Sequence, residues 1–405
     1  MIRKTCLALA LPLSLGLSPT PAIAAEPKFQ RQVIDDKIAI GYGLAIGDVD
    51  GDKKPDIILA DKSQIAWYRN GDWKRFNIAE NVNPPVRARH FDNVCIAARD
   101  IDGDGKVEIA IGGQWNPGET SDASKSGSVH YLARPADPTQ PWKPIRLHHE
   151  PTVHRMHWVR TGGDLYKLVV LPLHGRGNQK GEGDGVRVLA YDIPEAREDG
   201  EAWKTSLVDD SLHLAHNFDL VSSGDTEGIL IAGKEGALGA RWEGSEWISQ
   251  AAPVGAGTDG SPGQLEPAGE IRVRGKLMAA ICPMHGNSVV IVDYGHPSAP
   301  KLPVKIDESL NQGHALAIGD VLGLGAGQQQ VIAGWRNPDK DGRVGIKLYK
   351  PEGEDTHGEW ETHLIDDNGM ACEDLKLADL DGDGKQEIIA AGRATKNVVI
   401  YWNKN

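Results

Sequence analysis

Apolar residues along this chain come in short runs with period-2 alternation, each bounded by Gly, Asp, Asn or Pro, so the pattern predicts strands throughout and no long helix. The most apolar run returns at Ile57, Ile109, Leu168, Ile229, Met278, Val331 and Ile388, at intervals of roughly 50 to 60 residues. Most units go on to a third strand and then a closing strand that opens on tryptophan: Trp73, Trp142, Trp203, Trp247 and Trp360. Seven such units in one ring predict an all-β, seven-bladed β-propeller over residues 25–405. FQRQVIDD from Phe29 resembles WETHLIDD from Trp360, and the last unit stops after its third strand, VVIYWN. Phe29 to Ile34 is therefore expected to supply the outer strand of blade 7, which closes the ring and removes free sheet edges.

Three hairpins between the first two strands of a unit are acidic: LAIGDVDGDKKPDIILA from Leu44, IAARDIDGDGKVEIAIGG from Ile96 and LKLADLDGDGKQEIIAAG from Leu375. Four carboxylates crowd each: Asp48, Asp50, Asp52 and Asp56; Asp100, Asp102, Asp104 and Glu108; Asp379, Asp381, Asp383 and Glu387. Like charges this dense call for a cation, and oxygen donors on a Gly-bearing turn suit Ca²⁺. Structural Ca²⁺ is expected in blades 1, 2 and 7 only, because blades 3 to 6 replace the turn with GGD, SGD, RG and LGLGAG.

Composition narrows the class further. Arg3 and Lys4, the apolar stretch Leu7 to Leu17 and Ala22-Ile23-Ala24 read as a signal peptide over residues 1–24, so a periplasmic or secreted protein is expected. No later stretch is long and apolar enough to span a membrane. A formal charge of −13 opposes binding to nucleic acid. Cys95, Cys282 and Cys372 remain after the leader, enough for one disulfide but no framework.

If the acidic turns occupy one face, the start of each first strand and the end of each second strand meet on the other, near the axis. Aligned starts are Tyr42, Val94, His157, His216, Glu270, His314 and Glu373, and aligned ends are Lys62, Gln114, His174, Lys234, His285 or Pro283, Arg336 and Arg393. His90, Asp92, His154 and His213 stand just before the starts. His157, His216 and His314 with Glu270 are donors for Zn²⁺ or Mn²⁺, or the imidazoles bind sugar hydroxyls with no metal. Catalytic candidates are His154 and His174, then His90, with Tyr42 beside them, for removal of an acidic carbon proton. Lys62, Gln114, Lys234, His285, Arg336 and Arg393 are expected to bind substrate, with Trp115 and Trp158 stacking on sugar rings and Trp335 near the same mouth. The remaining histidines, such as His130 and His149, fall in rim strands and receive no role.

The DxDGDGxxE turns and the apolar runs after them resemble the FG-GAP/VCBS-type repeat of β-propellers. With closing tryptophans and a histidine-rich mouth, the chain also resembles the propeller domain of aldos-2-ulose dehydratase and propeller-type polysaccharide and oligosaccharide lyases. That resemblance implies a carbohydrate lyase or dehydratase that eliminates next to a keto or carboxylate group, with a divalent metal. No C-terminal cupin module is expected, a departure from those relatives. The alternative is a non-catalytic propeller that binds a glycan or a protein, and a hydrolase or isomerase would use the same residues.

Overall fold

Seven antiparallel four-stranded sheets follow one another along the chain, each a meander of strands a, b, c and d from the axis outward. The computed structural model describes residues 26–83, 85, 89, 91–252, 265–294, 302–325, 327–353, 355–356 and 358–405. Blade 1 spans Gly41–Glu80, blade 2 Cys95–Leu147, blade 3 Val153–Asp209, blade 4 Ala215–Ala251, blade 5 Glu270–Asp307 and blade 6 Gly313–Asp367. Blade 7 takes strands a to c from Cys372–Asn403 and its outer strand from Phe29–Asp35, which pairs antiparallel with Val398–Asn403. The expected closure is the closure observed.

The b strands are buried along their whole length in blades 1, 2, 5, 6 and 7, because each lies inside its sheet and is packed by neighbouring blades on both faces. A second device joins the blades. Tyr68, Tyr349 and Tyr401, all on c strands, donate their hydroxyls to Asp35, Asp307 and Asp366 on the d strand of the preceding blade, at 2.6–2.7 Å. Tyr191 makes the same reach to the His148 carbonyl at 2.7 Å. A hydrogen bond to a buried carboxylate contributes about 1.5–3 kcal/mol. The Tyr68–Asp35 bond extends the pattern across the closure, so the N-terminal strand is latched as an internal d strand would be.

Cys95, Cys282 and Cys372 are buried free thiols, so the one disulfide the sequence allowed does not form. Burial pushes the Cys95 and Cys282 thiols up to about 12, which keeps them inert. The signal peptide expected at 1–24, His90 and most of the Gly/Pro-rich loop after Ala252 lie outside the described residues. Among the described residues no helix is long and apolar enough to cross a membrane.

Candidate functional site: a histidine cluster at the axial mouth

Strand a carries a β-bulge at the same place in five blades. The register slips across Gly41/Gly43, Val153/Arg155, Ala215/Asn217, Gly313/Ala315 and Cys372/Asp374. The extra residue in each is Tyr42, His154, His216, His314 or Glu373. A bulge leaves one residue out of the ladder and re-aims its side chain, and these five side chains meet at the mouth. His285 joins them from the turn after strand b of blade 5, in left-handed backbone at φ 54°.

The imidazoles form one connected group. Ring centroids lie 4.5 Å apart for His154 and His216, 4.5 Å for His216 and His285, 5.2 Å for His216 and His314, and 5.1 Å for His285 and His314. Three Nδ1 atoms donate to backbone carbonyls of the next blade: His154 to His216 at 2.7 Å, His216 to Gly269 at 3.0 Å, and His314 to Glu373 at 2.6 Å. A carbonyl only accepts, so Nδ1 holds the proton and each Nε2 keeps its lone pair. One ligand nitrogen from each of His216, His285 and His314 lies within 4.8 Å of the others.

Charge balance favours neutral rings. Burial, reinforced by nearby Arg155 or Arg336 and by the neighbouring imidazoles, drives His154 and His314 far below the usual imidazole range. Burial likewise lowers His216 against the opposing pull of Glu270, and takes His285 down to about 2. Glu270 Oε1 lies 3.2 Å from His216 Nδ1, and Asn217 Nδ2 donates to Glu270 Oε2 at 2.5 Å. Burial raises the Glu270 carboxyl, but His216 and Arg272 overrule it and hold it at about 2. Neutral imidazoles beside one fixed carboxylate, with His216 Nε2 2.7 Å from His285 Nε2, suit a divalent metal ion.

A polar arc completes the mouth. Glu373 accepts from Arg336 at 2.9 and 3.0 Å and from Arg393 at 2.8 Å. The Arg393 guanidinium stands 5.4 Å from the Tyr42 ring centre, and Tyr42 Oη donates to Asp92 Oδ2 at 2.7 Å. Lys62 Nζ lies 3.9 Å from the same carboxylate. Trp115 is half-buried, with its ring 5.0 Å from His154.

Other expected residues land elsewhere. His157 is outside the cluster: it lies three positions along strand a from the bulge, edge-on to Phe218 at 4.7 Å, and His154 holds the place aligned for it. Blade 3 has the longest a strand, ten residues against seven in blades 1, 6 and 7, so alignment by pattern slipped there. Trp158 is fully buried with its indole donating to the Glu108 carbonyl at 3.1 Å, and Trp335 donates to the Arg343 carbonyl at 2.7 Å. Neither indole face is open to a sugar. Gln114 is buried and donates to the Ser124 carbonyl at 2.9 Å, while Lys234 holds the Gly181 carbonyl at 2.9 Å, so both support loops. His174 is half-buried, backbone-bridged to Leu214, with Nδ1 unpartnered. The sequence reading missed Arg155, which follows the blade 3 bulge and whose Nη1 donates to the His154 carbonyl at 3.0 Å.

Comparison with known proteins agrees with this architecture. Residues 48–111 match the FG-GAP-like repeat family, and residues 126–292 match the β-propeller domain family of aldos-2-ulose dehydratase. The chain is a seven-bladed β-propeller with an FG-GAP-like repeat at residues 48–111. No curated protein matches it. Among solved structures, a chain in the complex of BBS1N with ARL6DN is 12% identical, with 94% of this chain and 98% of that one covered and a TM-score of 0.54. A chain of the Mitotic Checkpoint Complex is 10% identical over 99% of both, at a TM-score of 0.53. The Cps50 (Swd1) β-propeller domain of Myceliophteria thermophila is 8% identical over 92% of this chain and 99% of that one, at 0.54. At such identities the likeness is one of fold.

The acidic hairpins of this propeller bring together three carboxylates each: Asp48, Asp50 and Asp56; Asp100, Asp102 and Glu108; Asp379, Asp381 and Glu387. The fourth expected donors, Asp52, Asp104 and Asp383, stand outside these trios and accept from the backbone N–H of Lys54, Lys106 and Lys385. Burial raises Asp56 and Glu108 to about 7 and raises Glu387. The hairpins differ in one respect. In blade 2, Arg134 donates to Asp104 at 2.8 Å and Glu108 at 3.3 Å, and Arg197 donates to Asp102 at 2.9 Å. Beneath the histidines, the a strands of all seven blades enclose an axial cavity of about 340 Å³.

Proposed function

We propose that this propeller is a carbohydrate lyase or dehydratase working outside the cytoplasm, with its reaction centre at the histidine mouth. The observation that carries this reading is the convergence of His216, His285 and His314 with their Nδ1 protons spent on the backbone or their charge suppressed by burial. The match of residues 126–292 to a dehydratase propeller domain supports the reaction class. His216, His285 and His314 would hold Zn²⁺ or Mn²⁺, with Glu270 behind His216. Such an ion supplies Lewis-acid polarisation of a carbonyl or carboxylate oxygen.

The chain's own groups then divide the proton work. The cluster imidazoles bind protons too weakly to serve as bases near neutral pH, which turns them into ligands rather than catalysts. His174 is assigned as the base because it stands outside that cluster, no charged neighbour adds to the lowering that burial imposes on it, and its buried Nδ1 has no hydrogen-bond partner. It removes the proton next to the carbonyl or carboxylate. Burial and the hydrogen bond to Asp92 raise the Tyr42 phenol, so Tyr42 keeps its proton for the departing oxygen. Arg336 and Arg393 fix Glu373 at the edge of the mouth, and Trp115 offers a stacking face.

The three-carboxylate hairpins bind Ca²⁺ as a structural ion, with blade 2 the weakest because two guanidinium groups already neutralise it. The deciding experiment exposes metal-loaded protein to a panel of keto-sugars and uronides and follows the absorbance of the unsaturated product. Turnover that disappears in His216→Ala supports the reading. No turnover across the panel, with the metal present, overturns it in favour of a binding propeller.

A further inference from the structure

The charged groups lining the axial cavity do not cancel. Three of its four cations have a carboxylate: Arg274 with Asp219 at 3.1 Å, Lys376 with Asp374 at 2.9 Å, and Arg272 with Glu270 at 3.3 Å. Arg155 has none among the described residues. Its Nη1 donates to the His154 carbonyl at 3.0 Å and stands 3.4 Å from His154 Nε2, and those are its hydrogen bonds. A guanidinium half-withdrawn from water with no carboxylate in contact is costly, since Glu270, which feels its charge, is already held by Arg272, and its fork geometry matches a carboxylate with two parallel N–H···O bonds. It is also the one cavity cation that touches the histidine cluster directly, through His154.

We propose that Arg155 is the anchor of a carboxylate subsite at the junction of the axial cavity and the histidine mouth, and that the ligand is a sugar acid rather than a neutral sugar. With Glu270, just behind the lining, counted beside Asp219 and Asp374, three carboxylates face four cations, and the positive charge left over matches one monovalent carboxylate. A cavity of about 340 Å³ is within the range of roughly 300–1,000 Å³ that small-molecule sites occupy. An acidic protein repels anions at long range, so a lone unpaired arginine at its axis selects the ligand by contact and not by steering. The choice of a sugar acid rests on the elimination reading above, whereas the anion site rests on Arg155 alone.

The test is calorimetric titration of the metal-loaded full chain with glucuronate, glucose and acetate, in wild type, Arg155→Gln and Arg155→Lys. Wild type is expected to bind glucuronate about tenfold or more tightly than glucose, a preference that Arg155→Gln abolishes and Arg155→Lys partly keeps. Unliganded Arg155→Gln should melt no lower than wild type, since it sheds an uncompensated charge, and glucuronate should raise the melting temperature of wild type alone. Equal binding of glucuronate and glucose by wild type, or a preference that survives in Arg155→Gln, overturns the subsite. Acetate binding as tightly as glucuronate overturns the sugar-acid assignment. Because these are binding measurements, Arg155-dependent glucuronate binding without turnover leaves the subsite standing and sinks the elimination reading. Turnover of neutral keto-sugars untouched by Arg155→Gln does the reverse.

Discussion

The two faces of this propeller concentrate charged and polar groups in opposite ways. On one face each acidic hairpin draws its three carboxylates from a single blade: Asp379 accepts from Gly382 and Gly384, and Glu387 accepts from Leu380, all within nine residues. On the other face no blade owns the site. His154, His216, His285 and His314 come from four blades, and each of the three Nδ1 donors is satisfied by the backbone of the next blade. A local site survives changes elsewhere in the ring, whereas a shared site depends on how blades 3 to 7 pack.

The sharpest way to break that contrast is to remove one shared imidazole. His216→Ala should lower metal retention by at least about 100-fold and abolish turnover, while far-ultraviolet circular dichroism stays unchanged. His157→Ala, three residues beyond the blade 3 bulge, should retain the metal. Mass-spectrometric metal analysis of both variants distinguishes the bulge register from the sequence alignment, and loss of metal in His157→Ala alone would refute the cluster described here.

Histidines away from the mouth supply a control. Burial, with nearby Arg146, lowers His130 to about 3 and His149 to about 4. Their folded values lie below the unfolded value of about 6.5, so the unfolded chain binds more protons in acid. The stability they allow is full above pH ~6.5 and is lost as pH falls toward 4, by up to ~1.4 kcal/mol per pH unit for each group. Urea unfolding at pH 7, 6 and 5 should show this slope, and His130→Gln should reduce it by the share of one group. The slope should persist in His216→Ala, because blade 2 carries it independently of the mouth.

The hairpins yield a smaller effect. Asp381→Ala should cost about 1–3 kcal/mol in calcium and little after chelation, read from melting curves. Calcium titration should find two tight sites and a weaker third, with Arg134→Ala strengthening the third. Three equal sites would show that the arginines of blade 2 do not compete with the ion. Smallest of all, Trp115→Ala should weaken sugar binding with little change in stability, and Trp158→Phe should cost about 1 kcal/mol of stability with binding intact.

Part of the site could be read in advance, and the reason it was only part is geometric. Tyr42, His216, His314 and Glu373 align correctly because their blades keep a seven- or nine-residue inner strand. His157 takes the aligned place of His154 in the sequence pattern because the ten-residue strand of blade 3 shifts the hairpin relative to the bulge. A bulge adds one residue to one strand and leaves no mark in a period-2 pattern. The failed assignments of Trp158 and Gln114 share a cause: position along a strand says which end a residue occupies, but not which blade face buries it.

The chain by itself determined the number of blades, the strand exchange that closes the ring and the acidic hairpins, because each is written in residues adjacent along a strand or repeated at one period. Tertiary structure alone decided which imidazoles share a centre and which of the described cations lining the axial cavity contact a carboxylate and which does not. Those properties depend on distances between side chains of different blades, and such distances follow from the packing of whole sheets around the axis.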